Sequence, residues 1–183
     1  MEGARRRGNT GPYLVGGMNL DAAIGLVRLT PLAPGRVRQI EPPQAARELC
    51  TLPRVDYREA FLLEAGPVPE RTGEQWARVI LEGASPAVRR ALTSGWTALG
   101  LQLGSTRSDD LVHGWEVRRS APDFALLAAR SPLGLSAELL FKRRRKGLLF
   151  AGFIEQENPI ARAVWAGIAP GHRQVVRYLL ETS

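Results

Sequence analysis

The residues of this 183-residue chain that could do chemistry are two histidines, one cysteine and a few isolated carboxylates. His172 stands on an apolar stripe one turn after Ile168. A pocket-facing imidazole there could act as acid, base or hydrogen-bond donor to a ligand carbonyl. The position suits better a buried histidine bonded to a backbone carbonyl, closing the helix end freed by Pro170. His113 alternates with Trp115, so the two share one strand face. That face either lines a cavity with Phe124, Phe141, Phe150 or Phe153, or ends in solvent with Trp115 as ordinary core. Glu59 interrupts an apolar strand face. It is a functional acid, the partner of an arginine, or exposed at a sheet edge. A catalytic reading needs His172 converging with Glu59 or Glu116 on one point.

Other chemistries are excluded by spacing. There is no G-x-x-x-x-G-K-[ST] phosphate loop, no H-E-x-x-H and no G-x-S-x-G elbow. The glycines at 11, 16 and 17 lack dinucleotide-loop spacing. Cys50 alone can form neither an internal disulfide nor a cysteine zinc cage. Two isolated histidines lack a metal-ligand signature, so neither metal nor cofactor is expected.

Charge is unevenly placed. The net charge is +7. Residues 1–40 hold six arginines against Glu2 and Asp21, and Lys142 to Lys146 form one unbroken basic run. Without that run the body from residue 41 onward is slightly acidic. The basicity is a tail and a turn rather than a face, so no nucleic-acid partner is expected. The run reads as a solvated turn, with peripheral contact to phosphate or anionic lipid through 142–146 as the alternative. Arginine-rich, lysine-poor composition fits a GC-rich genome. No apolar run is long enough to span a membrane, and Gly16, Gly17, Asn19 and Asp21 break any signal core. A cytoplasmic protein with a reduced thiol is expected. Met18 offers an alternative start.

The elements that must position these residues follow from pattern. Residues 1–40 lack a sustained period, apart from a weak helical stretch at Leu20–Leu29, and read as a loosely ordered basic tail. Residues 41–183 read as one domain. Gln44–Leu52 is a short helix, and Asp56–Ala65 is a strand with Tyr57, Phe61 and Leu63 on one face. Thr72 to Gln75 is a capping box, and Ser85-Pro86 starts a second helix. Strands follow at Leu111–Arg119, Asp123–Ala129, Leu135–Arg143 and Gly147–Gln156. Asn158-Pro159 starts a final helix whose stripe runs through Val164, Trp165, Ile168, His172, Val176 and Leu179. Pro170 should kink or split it.

This order is α+β: a curved antiparallel sheet, two short helices after the first strand, and a long C-terminal helix across the sheet. It resembles the helix-grip fold of the START, birch-pollen-allergen and polyketide-cyclase superfamily. Trp165, Pro170, His172 and Val175-Val176 resemble the C-terminal pattern of an uncharacterised bacterial family within it. The resemblance implies a hydrophobic small molecule held between sheet and C-terminal helix, against Trp115, Phe141, Phe153, Trp165, Ile168 and His172. The alternatives are a cyclase- or dehydratase-type enzyme on a polyketide-like substrate, or an interaction module using the Arg-rich tail and hairpin.

Overall fold

Strands apolar on both faces require cover on both faces. Leu135–Arg144 and Gly147–Gln156 meet that description, and they lie at the centre of the molecule. The computed structural model describes residues 37–64, 71–105 and 110–183. The chain order is β1 (Val37–Ile40), α1 (Gln44–Arg47), β2 (Tyr57–Glu64), α2 (Gly73–Leu81), α3 (Pro86–Ala98), β3 (Leu111–Val112), β4 (Trp115–Ala121), β5 (Phe124–Ser131), β6 (Leu135–Arg144), β7 (Gly147–Gln156) and α4 (Pro159–Glu181).

The strands form one curved antiparallel sheet in the order β1-β2-β7-β6-β5-β4-β3. Strands β3 to β7 are joined in sequence, whereas β2 reaches across the chain to pair with β7. On the front face, α4 crosses β1, β2 and β7, while α2 covers β3 to β6. The back face is closed by α1 and the segment after it, whose Leu49, Cys50, Leu52 and Val55 pack on Leu126, Leu140, Leu149 and Phe153. The layout is helix-grip-like.

Helix starts follow side-chain chemistry. Thr72 Oγ1 accepts from Gln75 N (3.2 Å) while Gln75 Oε1 accepts from Thr72 N (2.9 Å). Ser85 caps α3, and Asn158 Oδ1 accepts from Ala161 N (2.8 Å) to cap α4.

The sequence reading needs four corrections of extent. Residues 37–40, assigned to the tail, form edge strand β1, and Val37 is buried in the front core. The rest of the tail, including Leu20–Leu29, lies outside the described residues. The first helix stops at Arg47, because the residues beyond it turn down onto the back face. The strand drawn over 111–119 is two strands, reversed at His113-Gly114 with φ of 49° and 88°. Positive φ at both central positions marks a tight hairpin turn. Finally, α4 runs unbroken through Pro170. Trp165 and Ala169 before it, and Val176, Leu179 and Leu180 after it, are all buried, so packing holds both halves in line.

Pro170 is exposed and supplies no backbone donor. Pro170→Ala should therefore raise the unfolding free energy by about 1–3 kcal/mol in urea titrations. An unchanged or lower value would show that the backbone at Pro170 departs from a helix that alanine can adopt.

Candidate functional site

Alternation along the central strands decides which side chains can meet α4. Register aligns Tyr57 with Ile154, Glu59 with Gly152 and Phe61 with Phe150. These residues look toward the front, as do Leu139 and Phe141 of β6. Their neighbours Leu62, Leu149, Ala151 and Phe153 look toward the back. Phe153, assigned to the ligand site, is thus under the opposite layer, one residue out of phase. Phe124 also packs on the back.

A cavity of about 60 Å³ lies between the sheet and the helices. Its wall includes Trp115, Leu139, Phe150, Trp165 and Val176, and α3 contributes Leu92 and Trp96. His172 is the one titratable side chain in that wall among the described residues. Of the sequence-assigned residues, Trp115, Trp165 and His172 meet here. Ile168 and Phe141 belong to the same front core without lining the cavity, Phe141 packing 5.3 Å from Phe150, ring centre to ring centre.

A polar cluster backs the cavity at His172. Its Nε2 lies 2.9 Å from Oε1 of Glu59, whose side chain is 1% exposed. The pair is at ion-pair distance but off hydrogen-bond alignment, so among the described residues Oε1 has no aligned donor. The hydroxyl of Tyr57 donates to Oε2 at 2.6 Å, and Arg173 donates to that hydroxyl at 3.1 Å. Trp165 stacks edge-on against Tyr57 and tilted against His172, with ring centres 5.2 and 5.1 Å apart. The spacing from 165 to 172, about two helical turns, puts both on the same helix face. Burial, reinforced by Glu59, pushes the Tyr57 phenol up to about 12. An imidazole beside a buried carboxylate can exchange a proton with a group in the cavity.

Glu59 therefore pairs with His172 and Tyr57, not with an arginine; Arg173 reaches it through the tyrosine. Glu116 is on an exposed stretch, paired with Arg118 at 3.4 Å, and takes no part. Tyr57, Arg173 and Gly152 escaped the sequence reading as site residues. The glycine carried a signal: a Cβ there would lie 3.4 Å from Glu59 Cγ, so its absence leaves the carboxylate room.

His113 takes the structural reading. It is buried in the β3–β4 turn, not on a strand face, and its backbone N–H donates to Glu82 Oε1 at 2.9 Å. Its ring meets Thr93 Oγ1 at 3.3 Å and the Trp96 ring at 5.6 Å, holding α3 against the turn. Burial lowers its pKa.

Among the described residues no group of three or more His, Cys, Asp or Glu could hold a metal ion. None of the described helices is long and apolar enough to cross a membrane. No protein-family model, curated protein or solved structure matches the chain.

The raised Tyr57 pKa sets a pH dependence. The folded state holds this proton more tightly than the unfolded chain, so its stabilising effect is complete below about pH 10 and is lost as pH climbs toward about 12. Cys50, pushed up to about 12 chiefly by burial, contributes with the same sign from about pH 9. Urea midpoints should fall across that window, and Tyr57→Phe should flatten the fall. An equal slope in the variant would contradict the buried phenol–carboxylate contact.

Proposed function

We propose that this chain binds a small, mainly apolar molecule carrying a hydrogen-bond acceptor, held between the sheet and α4. The observation that carries this reading is the apolar cavity with His172 as its titratable wall residue among those described. Trp115 and Trp165 also line it, and among the described residues no group accepts from either buried indole N–H. A ligand oxygen there would remove the desolvation cost of such donors. The helix-grip-like layout supports kinship with the START, birch-pollen-allergen and polyketide-cyclase superfamily, by resemblance of architecture.

Size constrains the ligand. A volume of about 60 Å³ is below the ~150 Å³ that admits a benzene ring. Anything approaching the ~300 Å³ of an ordinary small-molecule site needs a helix to move. Two of the helices over the cavity are each tied by a histidine, α3 through His113 of the β3–β4 turn and α4 through His172 to Glu59. A second reading, acid–base catalysis of the cyclase or dehydratase type, is favoured by the 2.9 Å approach of His172 to Glu59. In that reading His172 moves the proton and Glu59 holds the imidazole in place.

Native against denaturing mass spectrometry of protein purified from its own cells tests the binding reading. A small bound mass should be present in the native spectrum, be lost on denaturation, and be absent from Trp165→Ala. A clean apo mass, with no response of tryptophan fluorescence to aromatic or acyl probes, would overturn it.

A further inference from the structure

The basic run at the β6–β7 turn is not absorbed by the front-face site. Lys142 leaves the run, since its Nζ is 2.6 Å from Asp123. Arg144, Arg145 and Lys146 remain exposed, and Arg38 of β1 joins them around a groove of about 590 Å³. Leu62 and Leu63 also line it, with Glu64 its one carboxylate among the described residues.

Register explains the convergence. Arg38 aligns with Leu62, Leu62 with Leu149 and Leu149 with Lys142, a row on the back face. The next row of that face joins Glu64, Gly147 and Arg144. Three strand spacings separate the backbones of β1 and β6 by about 14 Å, a gap that two facing arginine side chains can close on one anion. The turn then adds Arg145 and Lys146 at the same end.

Charge at this groove is unbalanced. No salt bridge joins Arg38, Arg144, Arg145 or Lys146 to a carboxylate among the described residues. Some cations elsewhere are paired, as in Arg78 with Glu74 and Glu82, or Arg58 with Glu41; what sets this groove apart is that four cations unpaired among the described residues line one concavity. Four like charges around one concavity repel one another, and a multivalent anion would relieve that repulsion. Guanidinium forks match phosphate oxygens in bidentate fashion. The groove has the dimensions of a small-ligand site. Among the described residues its lining contains no aromatic ring on which nucleic-acid bases could stack.

We infer that Arg38, Arg144, Arg145 and Lys146 form a binding site for a ligand bearing more than one phosphate group. The site is on the opposite face of the sheet from the apolar cavity and does not depend on its occupancy.

The test is calorimetric titration of the full chain with sodium tripolyphosphate at low salt, beside co-sedimentation with phosphatidylcholine vesicles containing phosphatidylserine. Arg38→Gln and Arg144→Gln should each weaken tripolyphosphate binding by about 5–10-fold. Glu64→Gln should strengthen it a few-fold. Arg130→Gln makes the same charge change at the other end of β5 and should leave it unaltered. All four side chains are exposed, so the fold is not at stake. The same variant pattern in the vesicle assay alone would support the site and identify its phosphates as lipid headgroups. Binding of neither probe, or an equal loss in Arg130→Gln and Arg38→Gln, would overturn the inference.

Discussion

The burial of Glu59 within the front face is the constraint on which the rest of the structure turns. A carboxylate in an apolar layer is tolerated when other groups supply opposite charge and hydrogen bonds. Here the donors come from different parts of the chain. Tyr57, two residues away on β2, donates to the carboxylate; His172 of α4 lies at ion-pair distance from it, and Arg173 of α4 donates to the tyrosine hydroxyl. Gly152 on the neighbouring strand leaves the space. The helix is therefore not free to slide along the sheet. One turn of slippage, about 5.4 Å, would take His172 off Glu59 and Trp165 off Tyr57 together. Apolar packing alone would attract α4; the polar cluster gives it one register.

The back face repeats the device. Glu138 is fully buried, and both the backbone N–H and the hydroxyl of Thr51 donate to it. Arg118 approaches its Oε1 to 3.9 Å. This ties the segment after α1 across β6, where Leu49, Leu52 and Val55 complete the lower core. One buried carboxylate on each face thus fastens a non-neighbouring segment to the central strands. Between them, every residue of β7 is buried.

Much of the architecture was legible because local chemistry and global fold agree. Thr72, Ser85 and Asn158 mark three helix starts directly, and the strands read at 123–129, 135–143 and 147–156 fall on β5, β6 and β7. The failures have physical causes. A four-residue edge strand such as Val37–Ile40 has too few alternations to register as a pattern, and its pairing with β2 supplies what propensity does not. His113-Gly114 is a tight turn without the usual asparagine or aspartate at its first position. Phe153 was misplaced because a strand apolar on both faces carries no phase, so the face of any one residue is set by its partners. His172 and Glu59 stood out singly as polar residues on apolar stripes. Their meeting depends on where α4 crosses β2, which spacing within either element cannot express.

The cavity wall and the anchoring cluster share His172, so any group that engaged the imidazole from the cavity would act on the contact that positions α4. The most direct measurement of this account is a double-mutant cycle on Glu59→Gln and His172→Gln, read by urea unfolding at neutral pH. Dependence of the two residues on each other predicts an interaction free energy above about 1 kcal/mol, with the double variant less damaged than the sum of the singles. Additivity within about 0.5 kcal/mol would contradict it, and would mean that α4 keeps its place on the sheet without help from the His172–Glu59 contact.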